Sequence, residues 1–107
     1  MYNKVILVGN LTRDPEIKTS SVQVCNFTLA VNENKNETLF IDIVAFDKLA
    51  DTCGQYLNKG KKVLVEGRLK MNEWTGKDGS KKSKIEVVAS KVIFLSPKGS
   101  SGIEDPF

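Results

Sequence analysis

Hydrophobic and polar residues alternate over much of the first 95 positions, which is the pattern of β-strands that bury one face. Five strands are predicted, separated by segments rich in the residues of turns. They span 4–10, 22–32, 38–46, 62–74 and 82–95, with a turn around Asp14-Pro15, a polar loop over 33–37 and a glycine-rich hairpin turn over 75–80.

One segment has helical spacing instead. Its apolar face consists of Leu49, Cys53, Tyr56 and Leu57. Asp47 is placed to cap the first turn and Gly60 to end the helix. Five strands with a helix at this point predict an all-β OB-fold, a five-stranded partly open barrel with one short helix between strands 3 and 4. Other small barrels stay open, but none places the helix there as naturally.

The strand alternation assigns faces to the third and fourth strands. Ile41, Ile43 and Ala45 form one inward row, and Val63, Val65, Gly67, Leu69 and Met71 form the other. Phe40, Phe46, Lys70 and Trp74 then lie on the outer faces. Aromatic rings beside cations are the combination that holds single-stranded nucleic acid. A second small core or a subunit interface would also explain the phenylalanines, and a core position would also explain Trp74.

Composition limits the chemistry available to these 107 residues. Histidine is absent, and the two cysteines, Cys25 and Cys53, lack metal-ligand spacing. We therefore expect no metal, no cofactor and no catalytic residues, although catalysis by carboxylates or lysine stays open. Both cysteines are interpreted as small core residues of a protein in a reducing cytosol. No apolar run reaches the ~18 residues of a membrane span, so no membrane association is expected.

The net positive charge of the chain is small, but its basic side chains are concentrated in one segment. The net charge is +3, yet residues 59–84 carry nine basic and three acidic side chains. Such a local excess attracts polyanions. The alternative interpretation is a strand edge protected by lysines.

The residues after the last strand differ in composition. Gly, Ser and Pro are frequent from Pro97 onward, which predicts a domain over 1–96 and a flexible tail over 97–107. The tail ends in an acidic, aromatic tip made of Glu104, Asp105, Pro106 and Phe107. Pro106 disfavours a helix there. A frayed end and a partner-binding tip are both open.

Taken together, these segments resemble the bacterial single-stranded DNA-binding proteins (SSB). The resemblance is carried by 3–11 with Asp14-Pro15-Glu16, by 27–32, by 46–50 through 56–60, and by 65–69 with Trp74-Thr75. It covers about residues 2–95, in order, together with the tip.

The resemblance implies a non-enzymatic, cytoplasmic homotetramer that wraps single-stranded DNA without sequence preference in replication, recombination and repair. It implies stacking by Phe40, Phe46 and Trp74, phosphate contacts by Lys4, Lys18, Lys48, Lys59 and Lys70, and docking of replication and repair proteins on Glu104, Asp105, Pro106 and Phe107. The sequence departs from the family pattern at Lys35, where an aromatic platform is frequent, and at Asp42, where a cation is usual.

Two other functional classes of OB-fold protein are open. A replication-restart adaptor is an OB-fold dimer that contacts mainly proteins, but such relatives lack the acidic Pro-Phe tip. A small OB-fold nuclease would need a metal-binding group of carboxylates. Asp42, Asp47 and Asp51 do not make a persuasive cluster, because they are predicted on a strand, at a cap and on the helix.

Overall fold

The computed structural model describes residues 1–95. Within this range the elements are β1 (Val5–Leu11), β2 (Glu16–Thr19), β3 (Gln23–Asn34), β4 (Glu37–Phe46), α1 (Asp47–Tyr56), β5 (Lys62–Thr75) and β6 (Lys81–Phe94). The five predicted strands correspond to β1, β3, β4, β5 and β6, and the helix lies where it was predicted. The predicted tail and its tip lie outside the described residues.

Five of the strands close into a barrel. The sheet order is β1-β5-β6-β4-β3, and a further pairing of β1 with β3 joins the ends. That closure is short, with Asn10 opposite Ala30 and Leu11 opposite Leu29. β4 and β6 pair in parallel, whereas the other neighbours are antiparallel. The prediction of an OB-fold barrel is confirmed.

The interior is filled by the inward rows of the strands and closed by the helix. Phe27, Leu29, Ile43, Val63, Val65 and Val87 are among the largest fully buried side chains. Cys53 on α1 and Cys25 on β3 belong to the same core. Burial raises the pKa of the Cys25 thiol to about 11, and burial together with the neighbouring Cys25 raises the pKa of Cys53 to about 12. Their interpretation as core residues is confirmed.

Two short connections differ from the prediction. β2 covers residues 16–19, to which the sequence pattern assigns no element, because four exposed residues are too few to show alternation. It nevertheless pairs with the first half of β3. The loop over 33–37 is also shorter than predicted, since β3 runs to Asn34 and β4 starts at Glu37. The Asn34 side chain accepts a hydrogen bond from the Asn36 backbone at 2.9 Å and stabilises this tight turn.

The predicted ends of the helix are wrong. Asp47 lies at a left-handed φ of 58°, where the chain turns from β4 into α1. Phe46 takes the N-cap position, and within residues 1–95 no side chain caps this helix. The helix ends at Tyr56, so Gly60 lies in the following turn instead, at a φ of 88°. Tyr56 itself is exposed, against its predicted place on the buried face.

The inward row of the fourth predicted strand is buried only as far as the barrel extends. Val63 and Val65 are buried, but Leu69 and Met71 are exposed. The alternation is correct and places both on the inner side. However, β5 and β6 continue together past the barrel as a hairpin. In that hairpin the inner face no longer packs against the core. The predicted burial of Leu69 and Met71 is therefore wrong.

Candidate nucleic-acid interface

Two hairpins extend from the same end of the barrel. We call residues 30–40 of β3 and β4 the β3–β4 arm, and residues 68–86 of β5 and β6 the β5–β6 arm. β4 and β6 run parallel, pairing at Ile43–Val87 and Val44–Val88. Both hairpin turns therefore lie on the same side of that pairing. We call the side of the sheet that carries Phe40 and Trp74 the outer face.

All three predicted stacking residues expose their rings. Relative exposure is 65% for Phe40, 38% for Phe46 and 45% for Trp74. Phe40 lies on the β3–β4 arm, opposite Ala30, and Trp74 lies near the end of the β5–β6 arm. Because none of these rings is in the core, the core interpretation of Trp74 does not hold.

Phe46 lies in a row of residues that crosses three strands. On β3 its partner is Val24, and the β2 partner of Val24 is Lys18. Strand β2, which the sequence did not reveal, therefore brings a predicted cation to the face that carries a predicted stacking ring. Lys48 follows two residues after Phe46, in the first turn of α1, and is exposed.

Further lysines accompany Trp74 on the β5–β6 arm. Trp74 pairs with Lys82, Asn72 with Lys84, and Lys70 with Glu86. Directly opposed residues of an antiparallel pair share a face, so these lysines belong to the outer face with Lys70 and Trp74. Our sequence reading missed Lys82 and Lys84 as site residues. Their alternation with Lys81 and Ser83 is the signal that could have placed them.

The hairpin turn beyond Trp74 is stabilised by its own hydrogen bonds. The Ser80 hydroxyl donates to Asp78 Oδ1 at 2.6 Å, and the Ser80 backbone N–H donates to the same oxygen at 3.1 Å. These bonds to the charged form lower the pKa of Asp78. The turn therefore presents a defined end to the β5–β6 arm instead of a frayed one.

Two predicted cations lie away from the arms. Lys4 precedes β1, and its ammonium pairs with Glu66 on β5 at 3.5 Å. Lys59 lies in the turn after α1, where its backbone N–H donates to Asp14 Oδ1 at 2.8 Å. The structure therefore groups Lys18, Phe46, Phe40, Lys70 and Trp74 on the outer face but does not bring Lys4 or Lys59 to the arms.

A polar cleft of about 210 Å³ lies where the base of the β5–β6 arm meets β2, β3 and β4. Its charged and polar lining consists of Arg13, Glu16, Lys18, Asn26, Thr28, Asp42, Lys84 and Glu86. Asp42 accepts a hydrogen bond from Thr28 Oγ1 at 2.7 Å, and its other oxygen contacts the ammonium of Lys84. Asp42 therefore lies on the outer face, two residues along β4 from Phe40.

A small closed barrel with aromatic rings and cations on one outer face defines an OB-fold protein of the nucleic-acid-binding class. Comparison with known proteins agrees with this class. The model of the single-strand binding protein family matches residues 2–95. The chain belongs to that family.

Three relatives illustrate the similarity. A single-stranded DNA-binding protein of Staphylococcus aureus (strain MRSA252) is 44% identical, covering 94% of this chain and 70% of the relative. Single-stranded DNA-binding protein 2 of Clostridium acetobutylicum is 41% identical, covering 96% of this chain and 84% of the relative. The single-stranded DNA-binding protein of Helicobacter hepaticus is 37% identical, covering 100% of this chain and 68% of the relative.

The comparisons and the structure also bear on three other expectations, which concern enzymatic activity, metal binding and membrane association. The family and its named members are binding proteins, which agrees with the prediction of a non-enzymatic protein. Among residues 1–95, no three Asp, Glu or Cys side chains are grouped so that they could hold a metal ion. Nor does that part of the chain contain a helix with the length and apolar character needed to cross a membrane.

Proposed function

We propose that this protein binds and protects single-stranded DNA, without sequence preference, during replication, recombination and repair. The observation that carries the proposal is the exposure of Phe40, Phe46 and Trp74 on one face together with lysines. Every base offers a flat ring for stacking, so aromatic platforms bind DNA of any sequence. Paired bases inside a duplex are stacked on each other and do not offer these surfaces. The protein should therefore prefer single-stranded DNA to double-stranded DNA.

The lysines supply the contacts to phosphate. Lys18 and Lys70 lie on the outer face with the rings, and Lys48 follows Phe46. Lys4 and Lys59 are assigned by family resemblance and would contact DNA that continues around the barrel. Each phosphate neutralised releases counterions, so affinity falls as the salt concentration rises.

The test uses Trp74, which is the single tryptophan of the chain. Its fluorescence is titrated with poly-dT at low and at high salt, and with a duplex of matched length. We expect quenching by the single strand, weakened by salt, and little change with the duplex. An unchanged signal with both DNAs would remove Trp74 from the site, and a negative gel shift as well would contradict the function.

We also propose that the protein assembles as a homotetramer. Family resemblance suggests this state, and an apolar strip on the outside of β1, β5 and β6 supports it. Val8, Leu64 and Ile93 form one cross-strand row, and Ile6 beside it is 58% exposed. Apolar side chains clustered on a sheet exterior are typical of protein–protein contacts.

Ile6→Glu is expected to break this assembly. The substitution places a charge in the apolar strip, where a subunit contact would remove it from water. Light scattering at micromolar concentration should show four subunits for the wild-type protein and fewer for the variant. Val22→Glu is the control, since Val22 is similarly exposed but lies in the connection between β2 and β3. A wild-type monomer, or equal effects of both variants, would contradict the proposed interface.

The last part of the proposal concerns residues 97–107. By family resemblance, Glu104, Asp105, Pro106 and Phe107 recruit replication and repair proteins in a bacterial cytoplasm, close to the nucleoid. Acidic side chains beside an aromatic ring suit a basic pocket with an apolar floor.

Deleting Pro106 and Phe107 is expected to leave affinity for DNA nearly intact and to abolish recovery of partners in pull-down from a bacterial extract. Truncation after Gly102 removes the acidic residues as well and should lose the same partners. Deletion that leaves recovery unchanged would contradict partner binding by the tip. Deletion that weakens DNA binding would show that the tip belongs to the DNA site instead.

A further inference from the structure

An ion pair joins the β5–β6 arm to β4, two residues beyond the end of the β3–β4 arm. Lys84 Nζ, on β6, contacts Asp42 Oδ2, on β4. The pair lies just beyond the parallel pairing of Ile43 with Val87. Thr28 Oγ1, on β3, donates to the remaining oxygen of Asp42 at 2.7 Å. The carboxylate is therefore held by one group from each neighbouring strand, and the ammonium of Lys84 is held against β4.

This pair remains accessible. The Lys84 side chain is 50% exposed and that of Asp42 is 30% exposed. Exposed ion pairs contribute little to stability, so a phosphate can replace the carboxylate at little cost. Lys84 shares the outer face with Lys70 and Trp74, and Asp42 shares it with Phe40. Phe40 lies two residues before Asp42 on β4. Lys82, which pairs with Trp74, lies two residues before Lys84 on β6. A strand of DNA that stacks on both rings would therefore pass close to the ion pair.

We propose that Lys84 is a phosphate-binding residue of the interface and that Asp42 occupies its ammonium in the free protein. DNA binding at this point then exchanges a carboxylate for a phosphate. Asp42 limits affinity in two ways. It must give up Lys84, and its own charge then faces the DNA backbone. The Asp42 charge also stays beside Lys84 in the complex and offsets it, so the contacted phosphate releases fewer counterions and binding depends less on salt. This inference rests on the proposed function.

Asp42→Asn tests the exchange, because the amide oxygen can still accept the Thr28 hydrogen bond while the charge is lost. Binding of a fluorescently labelled dT oligonucleotide is measured by anisotropy over a series of salt concentrations. We expect the variant to bind roughly two- to fivefold more tightly at low salt, which is the strength of an exposed pair. The slope of log K against log salt should become steeper by up to about 0.7, the value for one fully neutralised phosphate on a single strand.

Lys84→Gln and Glu73→Gln complete the design. The gain from Asp42→Asn should vanish when Lys84→Gln is already present, because no ammonium is left to release. Glu73→Gln removes the same charge from the β5–β6 arm at a position opposite Ser83, not opposite a lysine of the interface, and leaves the Asp42–Lys84 pair in place, so it should not steepen the slope. Unfolding midpoints are compared for every variant.

An equal gain from Glu73→Gln, or a gain that persists without Lys84, would overturn the exchange in favour of a general charge effect. Weaker binding by Asp42→Asn would overturn it too. In each of those cases the wild-type protein still binds DNA, and the proposed function stands. A wild-type protein that fails to bind the oligonucleotide would overturn the proposed function as well.

Discussion

Replacing Phe40 and Trp74 together by alanine should weaken binding to single-stranded DNA by roughly 2–6 kcal/mol, since each base stacked on an aromatic ring contributes about 1–3 kcal/mol. Each single substitution should cost at least about 1 kcal/mol. The two rings lie on different hairpins, so one strand must span both arms to use both. The losses should add if it does, because separated sites with no shared partner act independently.

The measurement is anisotropy of a labelled dT oligonucleotide, since the variant without Trp74 has lost its own fluorophore. Tyr56→Ala is the matched control. Tyr56 is 62% exposed, so its truncation removes a comparable amount of accessible aromatic surface. It lies at the end of α1, beside Phe94 at a ring distance of 6.2 Å, and not on the arms. Its loss should leave DNA affinity nearly unchanged.

Three results would contradict the stacking assignment in different ways. Wild-type affinity in both single variants would remove Phe40 and Trp74 from the site. Equal losses in Tyr56→Ala would indicate a general effect of truncating exposed rings. A double variant no weaker than the stronger single one would mean that the second ring contributes only while the first is present, so that the two rings do not act independently.

Much of this interface could be predicted because strand alternation is a local property. A side chain's face depends on its neighbours one and two positions away, so Phe40, Phe46, Lys70 and Trp74 were placed on the correct side. The same alternation gave the five barrel strands, and its replacement by helical spacing gave the position of the helix. The prediction of the fold therefore rests on the two-residue period of hydrophobic and polar side chains, which the sequence displays directly.

What the sequence missed depends on contacts between distant segments. Alternation told which way Leu69 and Met71 point, but not that the barrel ends before them. β2 forms because β3 offers it a free edge, and four exposed residues carry no sign of that. The pairing of Asp42 with Lys84 joins positions 42 residues apart, through a parallel contact between β4 and β6 that no local pattern encodes.

The start of the helix was wrong for a different reason. Aspartate is a preferred N-cap residue, but residue preference alone cannot distinguish an N-cap from the sharp turn that precedes one. Its left-handed φ shows that the turn falls at Asp47 itself. Aspartate adopts this region more readily than most residues. The residue type was therefore informative, but it indicated the backbone conformation and not a capping hydrogen bond.

Gly67 is the residue on which the position of the β5–β6 arm most depends. It lies at a β-bulge, where the register changes from Glu66 opposite Lys91 to Gly67 opposite Ala89. A Cβ atom at Gly67 would lie 2.2 Å from the carbonyl oxygen of Val88 and 3.0 Å from the Cα of Ala89. Both are backbone atoms of the neighbouring strand, so a side chain fits only if β5 and β6 move apart.

Gly67→Ala should therefore destabilise the fold by about 2–3 kcal/mol, as overpacking does elsewhere. The direction of this change in stability is informative. Where space allows, Gly→Ala stabilises by about 0.4–1 kcal/mol, because alanine restricts the unfolded chain. Urea and thermal unfolding measure the change, and the melting temperature should fall by roughly 10–20 °C for a domain of this size.

Gly76→Ala, in the turn of the same hairpin, is the matched control. Its new Cβ would meet mainly the far end of the Lys82 side chain, which can move away, so its effect should stay well below that of Gly67→Ala. Displacement at the base of the arm also moves Trp74 relative to Phe40, so the folded fraction of Gly67→Ala should bind DNA more weakly than wild type. Normal stability in this variant would contradict the close approach of β5 and β6. Lost stability with unchanged DNA affinity would show that the DNA tolerates a displaced arm, and that the two stacking surfaces need no fixed spacing.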